Sequence, residues 1–257
     1  MIYELGFYLL ATLFLLYWLY KPSSKTAKRL GLTFLGIGFL IFLFELIYAS
    51  LSSNNFTFSI FQFIANTAVA LFYVILIKFK DLKFIKFSPV VSSFALLFSL
   101  LGLKLGTFQN ENHILTLHIL TSILSFSFLL LSSIFSVFKI VSENKLKKGQ
   151  ILLPLGLPLN LWIKLERQFF FFGFIFLTLD LVLSFILLQL TLKSITFDSR
   201  ICATLILWIY YILLFHLERF SIEPFKSKFS YFNICGAMLI IITLLFTHHN
   251  FKSLKFK

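Results

Sequence analysis

Residues 113–141 read HILTLHILTSILSFSFLLLSSIFSVFKIV. No Asp, Glu, Lys or Arg occurs from 113 to 138, an uncharged apolar run of 26 residues that ends at Lys139. A helix needs about 20 such residues to cross the hydrocarbon of a bilayer, so this stretch spans. It also carries two of the five histidines, His113 and His118, near one end. An apolar membrane helix has no structural need for an imidazole. Ionisable groups at membrane depth are costly and turn toward the bundle interior. Helical spacing puts His118 on one face with Thr121, Ser122, Ser125, Ser132 and Ser136, a small polar face suited to close packing against other helices. His113 lies about 140° away around the axis, at headgroup level.

The rest of the chain has the same character. Over 257 residues it is 59% hydrophobic and 13% charged, with a net charge of +13 and a mean hydropathy of +0.96. Soluble domains carry about 25% charged residues. Repeated apolar runs of about 20 residues indicate helices rather than a barrel. The expected fold is an all-α polytopic membrane helix bundle of about eight transmembrane helices. Their approximate bounds are 3–20, 30–51, 56–77, 89–106, 113–141, 168–192, 199–217 and 229–247, within a single integral membrane domain, 1–257. The first apolar run has no preceding basic region and no small-residue cleavage site follows it, so no cleavable signal is expected.

The basic residues orient the bundle. Loop one holds Lys21, Lys25, Lys28 and Arg29, and loop three holds Lys78, Lys80, Lys83 and Lys86. Loop five holds Lys139, Lys145, Lys147, Lys148, Lys164 and Arg167, and loop seven holds Arg219, Lys226 and Lys228. The other side has only Lys104, Lys193, Arg200, Lys252, Lys255 and Lys257. The positive-inside rule gives N-out and C-out. The excess charge then faces anionic lipid headgroups, and no nucleic-acid partner is expected. Loop five includes ILLPLGLPLNLWIKLERQ, broken by Pro154, Gly156 and Pro158. From Leu159 it predicts a short interfacial helix with Leu161, Trp162 and Leu165 toward lipid and Lys164, Glu166 and Arg167 near water.

Few residues at membrane depth can do chemistry. His118 lies one to two turns in from the outer face. Span eight runs outward and ends in Thr247-His248-His249, at the same face. Two imidazoles meeting from different helices in a dry apolar pocket suit bis-histidine haem ligation. The same residues also suit plainer roles, an interfacial polar pair and a hydrogen-bonded core histidine. Zinc more often takes a third or fourth protein ligand. His216 falls near the cytoplasmic end of span seven, too far along the bundle to share a site with His118. Glu45 and Asp180 are intramembrane carboxylates, expected to pair with polar groups such as Asn66 or Gln62 of span three or to be protonated. Cys202 and Cys235 lie near opposite faces and are expected to stay unpaired. No GxSxG, HExxH, Walker or dinucleotide-binding motif occurs, so the expectation is a binding protein rather than an enzyme.

Four segments in order carry a family resemblance: LTLHILTSILSFSFLLLSSIFSVFKI, LPLNLWIKLERQFFFFGFIFLTLDL, FDSRICATLILWIYYILLFHLERF, and the last span closing on His248-His249. Together, over about residues 113–250, they resemble the cytochrome c assembly protein family, which includes CcsA, CcmC and the HemX/YpjD-type proteins. The second segment is similar to the family pattern LPxLxxLERLxxRxxxxGFxxLTxGL. The four spans within 1–106 resemble it only in hydropathy and number. The resemblance implies haem as cofactor, with His118 and either His248 or His249 as outer ligands to the haem iron. It also implies that His216 matches a histidine that binds a transmembrane haem in the CcsA branch, and that Asp198 matches the Asp of the tryptophan-rich signature.

The departures narrow the branch. The tryptophan-rich WGxxWxWDP segment is replaced by LTLKSITFDSR, no histidine occurs in the first four spans, and Asp180 stands where the family usually has glycine. The chain is most similar to the HemX/YpjD-like branch. That resemblance implies a multi-pass protein of the bacterial inner (cytoplasmic) membrane that binds haem without covalent catalysis and hands it on near the outer face. Its implied partners, beside the lipid bilayer, are other cytochrome c assembly proteins or a haem-biosynthesis enzyme. A HemX-like regulator acting through cytoplasmic loops and a small-solute transporter are the alternatives.

Overall fold

A computed structural model describes residues 2–51, 58–79, 82–104, 107–108, 113–150, 154–191, 199–220 and 228–248. Among them lie eight α-helices: α1 (Ile2–Tyr20), α2 (Lys25–Leu51), α3 (Ile60–Phe79), α4 (Ser88–Lys104), α5 (His113–Lys147), α6 (Leu159–Thr191), α7 (Ser199–Phe220) and α8 (Phe229–His248). Short 3-10 turns at Leu82–Phe87 and Pro154–Gly156 precede α4 and α6. Seven of the helices have an apolar stretch of at least 18 residues, long enough to cross a membrane. α8, with 20 residues, rises about 30 Å, which matches the bilayer hydrocarbon of about 30 Å. The chain is an all-α polytopic membrane bundle. Among the described residues the one extended element is a ribbon of two residues per strand, β1 (Phe58–Ser59) and β2 (Thr107–Phe108), paired antiparallel.

The chain divides into two compact units, Met1–Gln109 and Asn110–Lys257. In the first, α1 packs on α2 and α4, and α3 packs on α4. α1 and α3 run parallel at one level: Glu4 meets Gln62, and Tyr8, one turn on, meets Asn66. Ser24 caps α2, accepting from the amide of Ala27 at 3.3 Å.

In the second unit α5 and α6 form a long antiparallel hairpin. Its contacts run from Ser122–Asp180 at one end to Ser136–Glu166 at the other. Between them Gly173 lets the backbones close in. A Cβ there would stand 2.6 Å from Cγ of Leu129, and Ser125 donates to the Gly173 carbonyl at 3.0 Å. Lipid gives no hydrophobic drive between helices, so such close packing and interhelical hydrogen bonds hold the pair. α8 lies antiparallel to α5, and α7 packs on both α6 and α8.

Two segments depart from the hydropathy reading. Hydropathy starts the sixth span at 168, but α6 begins at Leu159. No proline or glycine interrupts it before Gly173, and nothing forces a break. There is no separate interfacial helix. Trp162 and Leu165, expected toward lipid, are buried, and Trp162 stacks on Phe138 of α5 with ring centroids 4.8 Å apart. Glu166, expected near water, is also buried. α5 runs past 141 to Lys147 and closes with a Schellman motif. There Gly149 takes φ +70, its amide bonds the Leu146 carbonyl at 2.9 Å, and the Gln150 amide bonds the Lys145 carbonyl at 3.0 Å.

Candidate functional site

The chemistry of the second unit gathers at two levels of the α5–α6 hairpin. At the first, near the start of α5, His118 Nδ1 lies 2.6 Å from Oδ1 of Asp180 on α6. Ser122 donates to the same carboxylate oxygen, and Thr121 reaches it at 3.4 Å. Ser184, one turn along α6, lies 3.4 Å from His118 Nδ1 and donates to the Asp180 carbonyl at 3.0 Å. Asp180 is buried, while His118 keeps 25% of its side chain exposed. An ionised carboxylate only accepts, so the Nδ1 contact needs a proton on Nδ1. In the neutral ring the free lone pair then sits on Nε2, which has no hydrogen-bond partner among the described residues.

This corrects the expectation that Asp180 pairs with span three. Gln62 and Asn66 instead bind Glu4 of α1. Hydropathy assigns depth but not lateral neighbours, and the neighbour of Asp180 is the helix before it in the chain.

At the second level, Lys139 of α5 pairs with Glu166 of α6 at 3.3 Å and donates to Ser230 of α8 at 2.8 Å. Ser136 donates to Glu166 Oε1 at 2.6 Å. Asn233 of α8 donates to Ser132 and Ser136 at 2.8 and 2.9 Å. Lys139, Glu166, Ser230 and Asn233 are all buried. By charge alone both ions belong to the basic loop five, yet both lie buried between helices. The signal that marks them is the serine stripe itself: Ser125, Ser132 and Ser136 continue at helical spacing to Lys139.

This node sets the register of α8. His118 lies 14 residues before Ser132 on α5, about 21 Å back along the axis. Asn233 lies 15 residues before His248 on α8, about 22 Å forward. The helices are antiparallel, so the last residue of α8 ends at the axial level of His118. The side chain of His248, and His249, Asp198 and the side chain of His113, lie outside the described residues.

His216 is not brought to this level. It is exposed near the end of α7, with Nδ1 2.8 Å from the Ile212 carbonyl and its ring against Phe215 and Phe220. Nearby on α7, Glu218 pairs with Arg167 of α6 at 3.1 Å. Arg167 lies 13 residues before Asp180, about 20 Å along α6. Cys202 and Cys235 are free.

His118 fits haem iron in its donor chemistry. An imidazole whose Nδ1 is held by a carboxylate presents an Nε2 of fixed orientation, the usual arrangement behind a metal-ligating histidine. Among the described residues no group of three or more His, Cys, Asp or Glu side chains could hold a bare metal ion.

The family model described as Cytochrome C assembly protein matches residues 2–254. No curated protein and no solved structure matches the chain.

Proposed function

The chain belongs to the cytochrome c assembly protein family, and we propose that it binds haem near the outer membrane face and hands it on without covalent catalysis. The ligands in this reading are His118 and either His248 or His249. The observation that carries it is the His118–Asp180 contact at 2.6 Å, which holds one ring nitrogen and frees the other. The level end of α8 supports a second donor from that helix. When bound, haem would supply an iron that accepts imidazole nitrogen, and His118 with His248 or His249 would hold it. Asp180 orients the first donor, and Ser122 and Thr121 hold Asp180 in turn.

In this reading the chain is a multi-pass protein of the bacterial cytoplasmic membrane, oriented N-out and C-out, of the HemX/YpjD-like branch. It works with other assembly proteins or a haem-biosynthesis enzyme. His216 stands apart from the outer site: the Arg167–Glu218 pair beside it lies about 20 Å along α6 from Asp180.

A deletion strain tests the role. Loss of c-type cytochromes with normal total haem is the expected result. Altered haem precursors with intact c-type cytochromes would overturn it in favour of a regulator.

A further inference from the structure

The first unit holds a carboxyl group that the haem reading does not use. Glu4, on the first turn of α1, is fully buried, as is Tyr8, and Gln62 and Asn66 of α3 are nearly so. Gln62 Nε2 donates to Glu4 Oε2, and Asn66 Nδ2 donates to Glu4 Oε1 at 2.5 Å. Among the described residues no Lys, Arg or His forms an ion pair with Glu4. Among the described residues, Glu45 of α2 is the other charge acting on it. On α4 the only ionisable residue is Lys104, whose side chain lies outside the described residues.

The two amides differ in their freedom. Asn66 is anchored: Oδ1 accepts from the Tyr8 hydroxyl at 2.5 Å, and Nδ2 also donates to the Gln62 carbonyl at 2.8 Å. Gln62 is not anchored in the same way. Its Oε1 is buried with no hydrogen-bond partner, which carries a desolvation cost. If the Gln62 amide turns over, Oε1 faces Glu4 Oε2, and that contact is a hydrogen bond only when Glu4 carries a proton. The side chain therefore matches either protonation state of Glu4, by Nε2 when Glu4 is ionised and by Oε1 when it is an acid. A metal cation fits less well, because the groups facing the carboxylate are N–H donors.

We propose that Glu4 is a proton-binding site of the first unit, and that the Gln62 amide turns over as the proton is taken up and released. The proton binds Glu4 Oε2, the N–H contact from Gln62 breaks, and an O–H contact to Gln62 Oε1 replaces it. Loss of the proton reverses both changes. Asn66, fixed by the Tyr8 hydroxyl, holds the other carboxyl oxygen throughout.

Infrared difference spectra of the full-length protein in lipid, between mildly acidic and alkaline pH, test this. The expected result is a carboxylic-acid C=O band that disappears as the pH rises. It should be absent in Glu4→Gln and retained in Glu45→Gln and Asp180→Asn. In Gln62→Leu the band should move to higher frequency, because the acid loses its acceptor. Gln62→Leu leaves the carboxyl in place and so decides the matter even if Glu4→Gln fails to fold. A wild type with no titrating acid band, a band that survives in Glu4→Gln, or a band unmoved in Gln62→Leu would each overturn the proposal.

Discussion

Nδ1 of His118 and Oδ1 of Asp180 meet at 2.6 Å across the α5–α6 hairpin. Each residue is an expensive group at membrane depth, and each supplies what the other lacks. The contact also fixes which imidazole nitrogen is left to act, and the haem-binding reading depends on that.

Asp180→Ala is expected to weaken haem binding about 10- to 100-fold, the usual cost of losing the partner behind a metal-ligating histidine. Asp180→Glu should restore part of the loss by offering a carboxylate again. Haem titration of the purified variants measures both. Equal affinities across the three proteins would show that Asp180 does not position His118.

Lys139→Met leaves the Glu166 charge buried without its partner, which costs about 3–5 kcal/mol. The double variant Lys139→Met, Glu166→Gln removes both charges and keeps an acceptor for Ser136. It should be distinctly more stable than the single variant. Unfolding in mixed detergent micelles compares them. A double variant as unstable as the single would mean that the pair does more than cancel charge.

Gly173→Ala places a Cβ 2.6 Å from Leu129 Cγ and 3.0 Å from the Leu129 amide nitrogen. Crowding of this kind costs about 1–3 kcal/mol. Adding Leu129→Ala should recover part of that cost, because residues in contact do not act additively. The same unfolding assay applies, and strict additivity would contradict the close approach.

His216→Ala should leave the haem spectrum unchanged, since His216 lies far along the bundle from His118. Stability should change by no more than about 0.5 kcal/mol, as for other exposed positions. A lost or shifted absorption band in this variant would reveal a haem ligand at the inner end.

Hydropathy carried the reading of the fold most of the way, because a spanning helix needs only length and an absence of charge. It also singled out His118, a lone imidazole in an apolar run. It could not say which helix lies beside which. The polar residues of α3 therefore look like partners for Asp180, while its partner stands on α5. Loop boundaries failed for a related reason. Lys139, Trp162 and Glu166 look like interfacial residues on charge and aromaticity. A neighbouring helix hides all three, through the Phe138 ring and the Ser136 and Ser230 hydroxyls. In the sequence Glu4 does not stand out as a site, because a single acid at the start of a span resembles an ordinary helix end. Only the parallel register of α1 and α3 puts Gln62 and Asn66 against it.

The proposed haem site rests on His118 as a ligand. Absorption spectra of purified wild type and His118→Ala, both expressed with haem supplied, test it most directly. A Soret band is expected in the wild type, and His118→Ala should abolish it. No band in the wild type, or an equal band in both proteins, would contradict it.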